Sequence, residues 1–125
     1  MNPGVNTPVE VGGMGGTFID EMILTEEMAY HFCSSPAVAL HSNIVMPYIS
    51  EYGTREQQEK YIPRMMSGEC IASIAMTEPD AGSDLQGIRT TARRDGDDWI
   101  INGSKIYITN GWLTDCCVVV AKTGD

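Results

Sequence analysis

"AMTEPDAGSDLQG", residues Ala75 to Gly87, sets a threonine, a serine, three carboxylates, a proline and two glycines within thirteen positions. Residues of this kind favour turns over ladders, so the stretch reads as a loop. It also follows a change in the texture of the chain. Up to Glu69 apolar residues recur at helical spacing; from Ile71 they alternate in short runs split by Gly and Asp turns. The expected fold class is therefore α+β. A helical N-terminal segment, residues 1–69, precedes antiparallel strands of a partial β-barrel or sandwich, residues 70–125.

The helical part begins after "MNPGVNTPVEVGGMGG", a tightly turning connector whose glycines fit neither GxGxxG nor GxxxxGK. A helix is predicted from near Thr17, with Ile19, Met22 and Ile23 as its apolar stripe and Glu26 and Glu27 on a solvated face. Ser35 and Pro36 suit the cap and first turn of the next helix. Ala37, His41, Ile44, Val45 and Tyr48 share one face of it, and Pro47 is expected to kink it. A lone histidine on an apolar face is ordinarily a hydrogen-bonded core residue, and His41 is read so. Thr54 and Gln57 have capping-box spacing for a helix reaching about Met66, interrupted at Pro63, with Gly68 just past its end.

Five strands are expected: Ile71 to Thr77, Arg89 to Asp95, Trp99 to Asn102, Lys105 to Thr109 and Cys116 to Lys122. Short turns such as "DGDD" point to an antiparallel meander. Alternation puts Ala72, Ile74 and Met76 on an apolar face of the first strand and Ser73, Ala75 and Thr77 on a small one. Ile106 and Ile108 likewise oppose Tyr107 and Thr109. A small face admits a flat ring, an aromatic packs beside it, and threonine hydroxyls donate and accept. On this pattern alone the better reading of Thr77 and Thr109 is as ordinary strand-end residues. In the loop, Gly82 permits close approach and unusual dihedrals, Ser83 offers a hydroxyl, and Asp84 is placed to brace nearby amides. Glu78 and Asp80 read as loop-bracing or solvated rather than metal-binding, since no histidine accompanies them.

Composition sets limits. With 8 basic against 17 acidic residues and a net charge of −9, nucleic acid is not an expected partner. The four cysteines, Cys33, Cys70, Cys116 and Cys117, form no CxxC and have no metal-ligand spacing. They are read as buried, reduced thiols of an intracellular compartment. No apolar run approaches the ~20 residues that span a bilayer. The first residues read as neither a secretory signal nor a transit peptide.

At these residues the chain resembles the acyl-CoA dehydrogenase family. "AMTEPDAGSDLQG" fits the first signature of that family along its whole length: a small residue, an aliphatic, Thr-Glu, two free positions, Ala-Gly-Ser-Asp, then a small residue. "INGSKIYITNG" (Ile101 to Gly111) resembles its second recurrent segment, and "GTREQQEKYIPRMMSGE" (Gly53 to Glu69) the helix leading into its middle domain. The likeness runs from about Val5 and is greatest to the long-chain members. Tyr107 stands where many members have Trp, and Asp80 where Gly is frequent.

The resemblance implies FAD as cofactor, fatty acyl-CoA as substrate, and oxidation of the Cα–Cβ bond to a trans double bond in β-oxidation. It implies electron-transfer flavoprotein as acceptor, a homotetramer, the mitochondrial matrix, and no metal. By the same resemblance Ile74, Ala75, Met76, Thr77, Glu78, Pro79, Asp80, Ala81, Gly82 and Ser83 form the first flavin-contacting segment, with Thr77 bonding the ring. Tyr107, Ile108 and Thr109 form the second, with Thr109 near the reactive nitrogen, and Ser83 also contacts acyl-CoA. The family's catalytic glutamate lies beyond this segment, so no catalytic residue is assigned, and Glu26, Glu27 and Glu78 are not substitutes for it. The expectation is a partial enzyme, inactive alone. Two alternatives stay open: a non-catalytic chain with a binding or assembly role, its unpaired strand edges offered to another chain, and a segment of an acyl-CoA oxidase.

Overall fold

The computed structural model describes residues 4–33 and 38–124. A compact loop with a single 3₁₀ turn, Val9–Val11, leads into helix α1, Phe18–Tyr30. α1 starts where expected, and Thr17 caps it: its hydroxyl accepts from the Asp20 amide, and the Asp20 carboxylate accepts from the Thr17 amide at 2.7 Å. The hydrogen bonds from Thr17 hold the Asp20 carboxyl below its ordinary pKa. The expected apolar stripe does not face the core. Phe18, Ile19, Met22 and Ile23 are all exposed, while Glu21 is buried. Amphipathic spacing identifies the helix but not which face meets protein. Glu26 and Glu27 are exposed, as expected.

Ser35, Pro36 and Ala37 lie outside the described residues, so the capping prediction there finds no structural counterpart. The next described element is a π-helical segment, Leu40–Val45, running into α2, Met46–Tyr52. Pro47 sits in the first turn of α2, where its missing N–H is tolerated. The Met46 amide reaches back five residues to the His41 carbonyl, so the wider π turn absorbs the break that the proline was expected to impose. It also rotates the helix surface. His41 and Val45 are buried, but Ile44 and Tyr48 swing partly outward instead of sharing their face.

Helix α3, Arg55–Ser67, carries a complete Thr54–Gln57 capping box and ends at Gly68, which adopts φ 84°. That left-handed conformation costs a glycine little, and the Gly68 amide closes the helix on the Met65 carbonyl. Pro63 does not interrupt α3. It lies on the exposed face with Glu59 one turn earlier, where water can hydrate the carbonyl left without a donor.

The strands are β1 (Ala72–Ala75), β2 (Thr91–Asp95), β3 (Asp98–Asn102) and β4 (Cys116–Val119). β2 and β3 form the expected antiparallel hairpin, Asp95 opposite Asp98. Gly96 takes φ 64°, as the first position of a two-residue hairpin turn requires. The meander, however, is overturned at β1 and β4, which pair in parallel with Ala72 beside Cys116 and Ala75 beside Val119. The long connection from Ala75 to Cys116 permits this geometry, which no short turn could. The hairpin joins the body through the amide of Ala92 on the Lys122 carbonyl and the Lys122 amide on the Thr90 carbonyl.

Every residue of β1 is buried, so its two predicted faces are both internal. One side packs on a core of Val45, Met46, Ile49, Ile62 and Met65. On the other, the Ser73 and Thr114 hydroxyls lie 2.8 Å apart. His41 ties these parts together. Its Nδ1 accepts the Ala72 amide at 3.0 Å, and its Nε2 lies 3.1 Å from the Met65 carbonyl as donor. The cysteine reading needs correction too. All four are free, but only Cys70 is buried; Cys116 is half-buried, and Cys33 and Cys117 are exposed. Alternation along β4 turns Cys117 outward. Burial raises the Cys70 and Cys116 thiol pKa values. Among the described residues no helix is long and apolar enough to cross a membrane.

Candidate functional site

Where β1 ends, Met76 and Thr77 lead into a four-residue turn. The Glu78 amide donates to the Ala81 carbonyl at 2.8 Å and the Ala81 amide to the Glu78 carbonyl at 3.2 Å. Pro79 and Asp80 occupy the turn's centre, where proline's fixed φ suits the first position. Ala81 is buried, while Gly82 and Ser83 are exposed. Gly82 is not in the left-handed region, contrary to the expectation of unusual dihedrals. Its contribution is space: a Cβ there would meet nothing within 4 Å. Among the described residues, the amides of Gly82 and Ser83 and the hydroxyls of Thr77 and Ser83 have no hydrogen-bond partner. The corner of this loop therefore presents unused donors to open space.

The brace beneath the loop is Glu78. Its Oε2 accepts the Arg89 amide at 2.6 Å, and its Oε1 accepts the Thr90 amide and the Lys105 ammonium, each at 2.9 Å. Lys105 also donates to the Met76 carbonyl at 2.8 Å. Asp84, expected to brace with its side chain, does so through its backbone carbonyl, which accepts the Gly87 amide. Asp80 is solvated and forms an exposed ion pair with Arg89 at 3.1 Å, a contact of small energetic weight.

Lys105 to Thr109 is not a strand. Tyr107 and Asn110 both take left-handed φ values, 55° and 65°, which break an extended ladder. What remains is one bond from the Ile106 amide to the Thr77 carbonyl, 3.0 Å, and one from the Asn110 side chain to the Ala72 carbonyl, 3.2 Å. The predicted alternation survives without the strand: Ile106 and Ile108 are half-buried, Tyr107 and Thr109 exposed. A bulky residue held at positive φ stores strain of about 1–2 kcal/mol, and such strain concentrates at functional sites.

The two predicted segments thus meet at Thr77 and Ile106. Gly82, Ser83, Tyr107 and Thr109 are exposed, with Met76, Thr77 and Ile108 half-buried. Ile74, Ala75 and Ala81 are packed inside, and the Glu78 side chain points into the scaffold. Lys105 carried no assignment from the sequence; the only signal was an unpaired lysine in "GSKIYITN". Among the described residues no group of three or more His, Cys, Asp or Glu side chains is arranged to hold a metal.

The Glu78 carboxyl is lowered to about 2, chiefly by the Lys105 hydrogen bond and then by Thr90, against the opposing effect of burial. A carboxylate with a depressed folded pKa contributes stability above its unfolded value near 4.5, lost as pH falls through about 2. The wild-type chain is therefore expected to lose this contribution between those values. Glu78→Gln should be less stable at neutral pH and show a flatter acid limb in urea melts at stepped pH.

The acyl-CoA dehydrogenase N-terminal domain model matches residues 3–69, and the middle domain model of the same family matches residues 73–125. The chain belongs to the acyl-CoA dehydrogenase family. Long-chain specific acyl-CoA dehydrogenase, mitochondrial, of Mus musculus is 58% identical over 120 residues, 96% of this chain and 28% of the mouse protein. An acyl-CoA dehydrogenase of Geobacillus kaustophilus superposes with a TM-score of 0.85 at 46% identity, over 94% of this chain and 31% of that one. A glutaryl-CoA dehydrogenase of Mycobacterium smegmatis, solved in complex with FADH2, superposes with a TM-score of 0.67 at 46% identity, over 70% of this chain and 22% of its own. This acyl-CoA dehydrogenase chain therefore spans about 28% of the curated relative it matches. Its α+β architecture is the one those dehydrogenases share.

Proposed function

We propose that the chain forms the flavin-facing part of an FAD-dependent acyl-CoA dehydrogenase that oxidises long-chain fatty acyl-CoA to trans-2-enoyl-CoA. Residues 1–69 would belong to the end of its N-terminal helical domain and residues 70–125 to the start of its middle domain, a division supported by the two family matches. The observation that carries the reading is the set of unpartnered polar groups at Thr77, Gly82 and Ser83 beside open space, with Thr109 exposed on the adjoining segment. These groups suit a flat heterocycle rich in carbonyls and ring nitrogens. The relative bound to FADH2 supports FAD as the occupant. When bound, FAD supplies the hydride acceptor. Thr77 and Thr109 would donate to the ring, Tyr107 would pack beside it, and Ser83 would reach both ring and thioester substrate.

The α-proton requires a base within hydrogen-bond reach. Glu78 is unsuited, since Lys105 and two amides already hold its carboxylate, and no other residue of this chain is assigned that role. Electron-transfer flavoprotein as acceptor, a homotetramer, and the mitochondrial matrix complete the proposal; the mitochondrial mouse relative supports the last.

The test uses a chimera in which this chain replaces the matching segment of the mouse enzyme. Thr77→Val and Thr109→Val are each expected to weaken FAD binding about tenfold, the worth of one hydrogen bond of roughly 1–1.5 kcal/mol. Isothermal titration of the deflavinated chimera measures it. Unchanged affinity in both variants would sink the assignment.

A further inference from the structure

Thr77 is gripped from both sides. The Lys105 ammonium donates to the carbonyl of Met76, the residue before it, and to the carboxylate of Glu78, the residue after it. The next amide along, that of Ile106, donates to the Thr77 carbonyl itself. Two consecutive residues of one segment thus hold three of the other, and the Thr77 hydroxyl has no partner among the described residues. Glu78 extends the grip to the amides of Arg89 and Thr90. The pair is largely withdrawn from water, with Lys105 and Glu78 side chains 11% and 5% exposed, so its hydrogen bonds are little screened. Directly beyond it Tyr107 sits at φ 55°, a conformation that persists only where neighbours enforce it.

We propose that Lys105 is a positioning residue of this site: seated on Glu78 and Met76, its ammonium sets the Tyr107–Thr109 segment against Thr77. The inference rests on the flavin reading for the ligand, but the clamp itself exists without ligand and is tested without it. Lys105 touches neither reacting atoms nor, by its burial, the ring; it acts through Thr77 and Ile106. An ammonium serves here because it has three donors on a flexible stem and can reach a carbonyl and a carboxylate that are not coplanar.

Native-state hydrogen exchange on the isotopically labelled 125-residue chain provides the test. Lys105→Met keeps the apolar stem and removes the charge. Protection of the Ile106 amide is expected to fall about tenfold or more beyond any change in the α3 amides, since local opening then no longer breaks charge-assisted bonds. Lys105→Arg should recover most of that protection. The pH profile is the signature: wild-type Ile106 protection should persist well below pH 4.5, and in Lys105→Met it should fail near the ordinary carboxyl range. Should Lys105→Met not fold, Glu78→Gln, which keeps an acceptor but loses the charge, is expected to lower Ile106 protection at neutral pH by a smaller factor and to flatten its dependence on pH through the carboxyl range. Ile106 protection that tracks the α3 amides, or an unshifted pH profile, overturns the proposal. A chimera that takes up no FAD while Ile106 responds as expected supports the clamp and removes only the flavin assignment.

Discussion

His41→Ala is expected to destabilise the chain by about 3–5 kcal/mol, the combined scale of a buried cavity and an orphaned backbone amide. His41 is 3% exposed and is bonded both to the end of α3 and to the start of β1. Alanine leaves the Ala72 amide without its acceptor in a buried site and strips the Met65 carbonyl of one of its two donors, the Gly68 amide remaining. It also leaves a void beside Met65. Phenylalanine fills the void but satisfies neither group, so His41→Phe should recover only the packing share. Glutamine carries one acceptor and one donor on a planar amide and should recover part of the hydrogen bonding. Urea melts of the three variants give the order wild type, Gln, Phe, Ala. Equal stability of wild type and His41→Phe would show that the two bonds contribute nothing net.

Gly103→Val should be comparably damaging, by about 3 kcal/mol, the upper part of the overpacking range. A Cβ at Gly103 would lie 2.6 Å from the Thr90 Cβ and 2.7 Å from the Thr90 Cα. The second atom is backbone and cannot rotate away. Thr90 is 2% exposed and its amide is held by Glu78, so the displacement would pass straight into the brace beneath the loop. Gly103→Ala should show most of the effect, and Thr90→Gly should relieve part of it in a double-mutant cycle. Gly82→Ala is the control, since nothing lies within 4 Å of that position. A Gly103→Ala variant that melts with wild type would remove close packing as the reason for a glycine there.

The parts of the fold readable from the sequence were local. The helix start near Thr17, the cap at Thr54, the helix end at Gly68 and the hairpin turn at Gly96 each depend on residues within one turn. What was misread depended on residues far apart. The parallel pairing of β1 with β4 is set by a long crossover, and Lys105–Thr109 alternates like a strand while Tyr107 and Asn110 bend it out of one. The stripe of α1 has the right period and faces away from the core. At the site, Thr77, Gly82 and Ser83 were visible as residue types that leave donors and space. The Lys105–Glu78 pair was not, because a lysine and a glutamate distant in sequence acquire a joint role only after three segments converge.

The flavin proposal rests on Thr77, Gly82 and Ser83 of the first segment and Tyr107 and Thr109 of the second. The most direct measurement is anaerobic addition of a long-chain acyl-CoA to the mouse-enzyme chimera, followed by absorption spectroscopy. The account predicts that the chimera purifies with flavin and that its oxidised-flavin band bleaches on substrate addition. A chimera that folds and assembles like the mouse enzyme, yet holds no flavin or leaves the band unchanged, would contradict it.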